Sequence, residues 1–339
     1  MDGEIANVIK VWITVIASLC YCYYVVARIR PGMTRLLSLL PIFYLFIILP
    51  LNLNSIHIGG LTIFFLVWLG NFKLLLFAFD QGPLTPLPPK LFHFISIASL
   101  PIKINQNPSP QKATKVPRSI LLLIKALLLA LIIRSYENRP NMHPYAVFAL
   151  YCLHLYLGVE IGLALSAAPA RAFGFELEPQ FHEPYLATSL QDFWGRRWNL
   201  MVTSILRPSV YKPARHISTH VVGPRWAPLP AVIAVFLVSG IMHELIFYYF
   251  TRAYPTWEVT WFFVLQGVCV AIEIVVKKAV TDRWQLHQAV SGPLTVGFVA
   301  VTGVWLFFPQ IIRNGVHEKA IQEYPIMVDF VKANLLFLS

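Results

Sequence analysis

Charge is scarce in this chain. Only 13% of its 339 residues are Asp, Glu, Lys or Arg, against 57% that are hydrophobic. A soluble domain of this size carries about twice that charged fraction. Cysteine is scarce too. The four present, Cys20, Cys22, Cys152 and Cys269, all lie in apolar runs. None has Cys-x-x-Cys or Cys/His spacing, so they read as small buried side chains rather than redox or zinc ligands. Gly-x-Ser-x-Gly, His-Glu-x-x-His and a glycine-rich phosphate loop are missing. Phe247 stands where a His-Glu-x-x-His motif starting at His243 would need its second histidine. No metal site is therefore expected. No basic segment belongs to a recognisable soluble module, so nucleic acid is not an expected partner. No internal repeat is visible, which counts against a transporter built from two related halves. No long polar linker divides the chain, so residues 1–339 read as a single domain. Asp2 and Glu4 occupy the place of a basic leader, so neither a cleaved signal peptide nor N-myristoylation is expected.

Long apolar runs are what the chain has instead. They fall near Val11–Val26, Leu36–Leu51, Ile56–Leu69, Ile120–Ile133, Tyr145–Ala168, Leu229–Phe250, Trp261–Val276 and Leu294–Phe308. A helix rising about 1.5 Å per residue needs roughly 20 apolar residues to cross the hydrocarbon. The class is an all-α polytopic integral membrane protein with about eight spans. Leu74–Phe79 and Leu91–Leu100 are apolar but short, and read as re-entrant or interfacial pieces. Pro83, Pro86, Pro88 and Pro89 with Gly82 exclude a continuous helix between them. Ile326–Leu338 reads as an interfacial amphipathic helix.

The net charge of +11 is unevenly distributed. With eight spans, one side collects Arg28, Arg30, Arg35, Lys73, Lys90, the cations from Lys103 to Arg118, those from Arg171 to Arg225, and Lys277, Lys278 and Arg283. The other side has Lys10, Arg134, Arg139, Arg252, Arg313, Lys319 and Lys332. The positive-inside rule puts the rich side in the cytosol and both termini opposite.

His243 is the most informative residue. It sits in a span, where lipid cannot replace lost hydration, and ionisable groups there usually face a polar cavity or a partner. A neutral imidazole accepts protons near physiological pH, which suits a general base. Ser239, one turn earlier, shares its helical stripe. The plainer reading is a packing histidine bonded to a neighbouring helix. Glu244 points about 100° away on the same helix. The second cluster is Gln191-Asp192-Phe193-Trp194-Gly195-Arg196-Arg197-Trp198-Asn199. Arginine forks suit phosphates, and tryptophans suit an acyl or adenine surface. Alone, this block reads more simply as a juxtamembrane helix whose Trp and Arg mark the headgroups. Lys125, His154, Glu160, Gln266 and Glu273 are the other polar groups in spans. Lys125 can snorkel and the rest suit interhelical hydrogen bonds. A proton relay through His243 and Glu160, as in a proton-coupled transporter, is the non-enzyme alternative.

Three blocks together resemble the plant wax-synthase-like branch of the membrane-bound O-acyltransferase superfamily. They are Trp68-Leu69-Gly70-Asn71-Phe72-Lys73-Leu74-Leu75-Leu76-Phe77-Ala78-Phe79, the Asp192–Asn199 block, and Ser239-Gly240-Ile241-Met242-His243-Glu244. The resemblance runs over essentially the whole chain. It implies helices enclosing an intramembrane reaction chamber and placement in the endoplasmic reticulum. It implies acyl-CoA as co-substrate without a resident cofactor, and a long-chain fatty alcohol acceptor giving a wax ester. Sterol or diacylglycerol acceptors belong to the same family. Asn199 and His243 match the family's Asn and His positions and are the expected catalytic pair. Asp192, Trp194, Arg196, Arg197, Trp198, Ser239 and Gln266 are the expected substrate contacts. Gly195-Arg196-Arg197 departs from the shorter aromatic stretch of the wider family, which weakens a direct catalytic role for Asp192.

Overall fold

The computed structural model describes residues 2–102, 117–172, 175, 177–280 and 287–336. Among these, eight helices are long and apolar enough to cross a membrane. They are α1 (Gly3–Arg28), α2 (Met33–Asn52), α3 (His57–Ala78), α5 (Ser119–Asn141), α6 (Pro144–Ala172), α9 (Pro228–Thr251), α10 (Glu258–Val280) and α11 (Gln288–Arg313). Other helices between and after them are α4 (Leu91–Ser99), α7 (Leu200–Leu206), α8 (Lys212–Trp226) and α12 (Val316–Leu336). Helices satisfy their own backbone hydrogen bonds, which lipid cannot do for them.

Several sequence readings change here. Leu74–Phe79 is not a separate re-entrant piece. The chain stays helical through a π-wound stretch, Phe64–Gly70, and α3 continues to Ala78. Arg35 and Lys73 are not loop charges. Lys73 is wholly buried, and its ammonium donates to the carbonyls of Ile97 and Leu100, both at 2.6 Å. It thus closes the C-terminal end of α4, where a helix favours a cation. Arg35 does the same for α3, donating to Phe77 O at 3.1 Å and to Ile29 O at 2.6 Å. α4 is a separate short helix with Phe94, Ile97 and Ala98 buried in the core with α1 and α2. The terminal amphipathic helix begins ten residues earlier than read, at Val316 instead of Ile326.

Hydrogen bonds staple the loops of each face to one another. On one face Glu4 accepts from the amides of Asn54 and Ser55 at 2.8 Å. There Arg252 also donates to Leu51 O at 2.8 Å, Lys319 donates to Asn54 O at 2.7 Å, and Arg139 pairs with Glu318 at 3.1 Å. On the opposite face lie the Arg35 and Lys73 closures, and Lys278 donates to Arg225 O at 3.1 Å. Residues 187–199 belong to this second face, where Lys277 donates to Ser189 Oγ at 3.2 Å.

α9 and α10 pack closest, through glycine. A Cβ on Gly240 would lie 2.9 Å from Thr260 Cα, and one on Gly267 would lie 2.8 Å from Phe236 Cβ. Small residues allow such approach between helices in lipid. Lys125 does not snorkel. Its ammonium lies 2.5 Å from Glu160 and 3.2 Å from the Tyr156 hydroxyl, clamping α5 onto α6. α5 otherwise turns Leu123, Ile124, Leu127, Leu128 and Leu131 outward.

Candidate active site

The helices enclose a cavity of about 810 Å³, within the range of small-molecule sites. Its wall is mostly apolar, with few polar groups. Arg207 and Tyr211 line the end at the 187–199 face. Trp194, Trp198 and Asn199 line the cavity from that same face, His243 and Ser239 from within α9, and His57, His154 and Tyr324 from the opposite face.

His243 is held from both sides of its ring. Nδ1 lies 2.7 Å from the Ser239 carbonyl oxygen. A carbonyl only accepts, so Nδ1 carries the proton of the neutral ring and Nε2 keeps its lone pair. Ser239 shares the helical stripe of His243, and what it offers the ring is its backbone carbonyl, not its hydroxyl. Three aromatics fix the ring plane. Phe263 stacks on it with centroids 4.3 Å apart, and Trp68 and Phe307 stand edge-on at 5.1 and 5.8 Å. Glu244 turns away and is buried against α10, where its carboxylate accepts from Thr260 N at 3.3 Å.

Asn199 enters the wall from a loop. Its backbone is left-handed (φ 38°, ψ 66°), a region asparagine tolerates better than most residues. Its side-chain oxygen caps α7 by accepting from Val202 N at 3.4 Å. The amide NH₂ is left as a donor.

The other expected contacts separate into two groups. Trp194, Trp198 and Ser239 line the cavity with His243 and Asn199. Asp192, Arg196, Arg197 and Gln266 do not line it. Arg197 Nε donates to Asp192 at 2.6 Å, and its Nη1 reaches the carbonyls of His182 and Glu183 at 3.2 and 3.3 Å. Arg196 is exposed. Gln266 is completely buried, accepts from the Trp194 indole at 3.1 Å and donates to Thr302 Oγ1 at 2.8 Å. It therefore sets the pose of a wall tryptophan from behind.

Sequence reasoning missed Phe263, Phe307, His57 and Tyr324 as wall residues. Trp68 stood in a quoted block without an assigned role. Phenylalanines in apolar spans carry no signal of facing a cavity. His57 and Tyr324 lie 267 residues apart in sequence, yet their rings are 4.3 Å apart.

A bundle of membrane-length helices around a largely apolar chamber defines an integral multi-pass membrane protein. The model of the membrane bound O-acyl transferase family matches residues 177–265, which contain both the Asp192–Asn199 block and His243. The long-chain-alcohol O-fatty-acyltransferase of Simmondsia chinensis is 51% identical over 100% of this chain and 99% of its own length. The probable long-chain-alcohol O-fatty-acyltransferase 1 of Arabidopsis thaliana is 49% identical over 98% of each chain. The acyl-CoA–sterol O-acyltransferase 1 of Arabidopsis thaliana is 46% identical over 94% of each. The chain belongs to the membrane bound O-acyl transferase family, and it is an O-acyltransferase.

Proposed function

We propose that this protein transfers a fatty acyl group from acyl-CoA to the hydroxyl of a long-chain alcohol, forming a wax ester inside the chamber. One observation carries the reading. The Ser239 carbonyl holds the proton of His243 on Nδ1, which leaves a basic Nε2 on a wall shared with the Asn199 amide. The relatives named for long-chain alcohols, aligned end to end with this chain, favour that acceptor.

In this reading His243 Nε2 takes the hydroxyl proton as the alcohol oxygen attacks the thioester carbonyl carbon. The tetrahedral adduct collapses by breaking the C–S bond, and the imidazolium returns the proton to the CoA thiolate. Protons balance, and no acyl-enzyme is needed because the thiolate is already a good leaving group. For the same reason the reaction asks for no resident cofactor. The Asn199 NH₂ donates to the carbonyl oxygen as charge develops on it. Phe263, Trp68 and Phe307 keep the imidazole from turning and keep water from the thioester.

The positive-inside rule orients the 187–199 face to the cytosol. Acyl-CoA then enters past Arg207 and Tyr211, leaving its phosphates outside. Each buried methylene contributes about 0.8 kcal/mol, so a chamber inside the bilayer suits two long chains. An endoplasmic reticulum membrane, where acyl-CoA and alcohols meet, is the proposed location.

The test is expression in membranes lacking neutral-lipid synthesis, with acyl-CoAs offered against alcohol, sterol and diacylglycerol. Wax ester is the expected product. Steryl ester as the main product would transfer the reading to the acceptor named for the third relative.

A further inference from the structure

The end of the chamber remote from Asn199 carries a polar cluster for which the transfer chemistry has no use. His57 opens α3 there. Its Nδ1 lies 2.9 Å from Glu323 of α12. The same carboxylate accepts from Ser55 Oγ at 2.9 Å, from Ile56 N at 2.7 Å and from His57 N at 3.1 Å. Burial by itself would push the Glu323 carboxyl up. The His57 imidazole, the two amides and the Ser55 hydroxyl together hold it below the usual carboxylate range. A carboxylate only accepts, so Nδ1 of His57 carries a proton whether the ring is neutral or an imidazolium. Its Nε2 makes no hydrogen bond among the described residues and is left for a ligand, as an acceptor in the neutral ring and as a donor in the imidazolium.

Tyr324 lies beside it, with ring centroids 4.3 Å apart. Its hydroxyl is 3.0 Å from His154 Nε2, and His154 Nδ1 is 3.1 Å from the Tyr136 hydroxyl. A neutral His154 has one donor and one acceptor. In one tautomer it donates to Tyr324, whose O–H is then free to donate. In the other Tyr324 donates to it and keeps its lone pairs. In both cases Tyr324 has hydrogen-bonding capacity to spare. His57, His154 and Tyr324 all line the chamber that holds His243. Trp68, the His243 ring neighbour, is eleven residues along α3 from His57, or roughly 16 Å of helix rise. This cluster is therefore too far from His243 to take part in its proton transfer.

We propose that His57 and Tyr324, with His154 behind Tyr324, form a hydroxyl-binding site at which the acceptor alcohol docks before it reaches His243. The inference rests on the acyl-transfer reading above and names the acceptor's route. An unpaired ring nitrogen beside a phenol matches a hydroxyl, which donates to the neutral ring or accepts from the imidazolium. The Glu323 carboxylate next to it repels a fatty acid of the same length. The site lies at the level of α12, whose Ile326, Val328 and Val331 are exposed as a membrane-surface helix requires. Alcohol hydroxyls in a bilayer rest at that level. A hydroxyl leaving the headgroups for the apolar interior loses its partners, and this cluster replaces them at the chamber end.

The test uses the full-length protein in proteoliposomes, comparing wild type with Tyr324→Phe and His57→Phe. Tyr324→Phe removes the hydroxyl alone, whereas His57→Phe keeps a ring but also removes the Nδ1–H held by Glu323, so thermal unfolding is measured beside the kinetics. Loss of a single hydrogen bond predicts an alcohol KM raised about three- to tenfold. The acyl-CoA KM and kcat at saturating alcohol should stay unchanged, which a merely structural role would not leave intact. A 1-alkanol with a diazirine near its hydroxyl should label α3 near His57 or α12 near Tyr324. Hexadecanol should compete and palmitate should not. This binding readout holds even if the wild type esterifies another acceptor, so the two readings fail separately. Unchanged alcohol KM in both variants, or labelling confined to residues around His243, would overturn the site.

Discussion

Asp192 and Arg197 hold each other. The Arg197 Nε lies 2.6 Å from the Asp192 carboxylate, and its Nη1 reaches the carbonyls of His182 and Glu183. Asp192 also accepts from the Thr188 amide at 3.3 Å. Two residues that read in sequence as contacts for substrate instead close the loop that presents Asn199 to the chamber. His182 N donates in turn to Arg197 O at 2.9 Å, so the loop is tied at both ends.

The two arginines should therefore behave differently. Arg196→Ala should raise the acyl-CoA KM with little loss of stability, because Arg196 is exposed and free to meet phosphates. Arg197→Ala should lower the melting temperature and kcat together by releasing the loop. Steady-state kinetics beside thermal unfolding in detergent separates these outcomes. Identical effects of both substitutions on KM alone would refute the split.

His243→Ala should cost on the order of 10²–10⁴ in turnover, the usual worth of a general base. Chain levels in the membrane should stay normal. Near-normal ester formation by a well-expressed variant would remove His243 from the mechanism.

Asn199→Asp separates capping from catalysis. Aspartate caps a helix as well as asparagine does, so α7 should keep its stability. The NH₂ donor is gone, so turnover should collapse. Combined with His243→Ala, the loss should be far from additive if both groups serve one transition state. An active Asn199→Asp enzyme would mark the residue as a cap alone.

Gly240→Ala should destabilise the protein by about 1–3 kcal/mol, the range for overpacking a filled interior. Its Cβ would come within 2.9 Å of the Thr260 backbone, which cannot swing aside. α9 must then move from α10 and carry His243 with it, so kcat should fall as well. The readouts are thermal unfolding and turnover on the same preparation.

Lys125→Met should destabilise by about 3–5 kcal/mol, because it strands the Glu160 carboxylate in a buried setting. Lys125→Met with Glu160→Leu should recover most of that loss. Unfolding measurements on both singles and the double give the coupling. Additive losses would show that the pair does not clamp α5 to α6.

The eight spans were legible in the sequence, because crossing hydrocarbon demands apolar length and little else. His243 was legible as well, since an imidazole among Val, Leu and Ile stands out chemically, and Asn199 through the block it ends. What each polar group meets was decided only by the tertiary structure. Lys73 and Arg35 counted as loop charges until folding brought carbonyl ends of α4 and α3 within reach of them. Gln266 counted as a substrate contact until Trp194 and Thr302 arrived from other elements to engage both ends of its amide. Which nitrogen of His243 stays basic depends on a carbonyl one turn away, and how the ring is held depends on aromatics from three other helices. The His57–Tyr324 cluster joins residues near the two ends of the chain. Hydropathy is a property of each segment by itself, whereas hydrogen-bond partners are chosen by helix packing, and that choice lies beyond any local pattern.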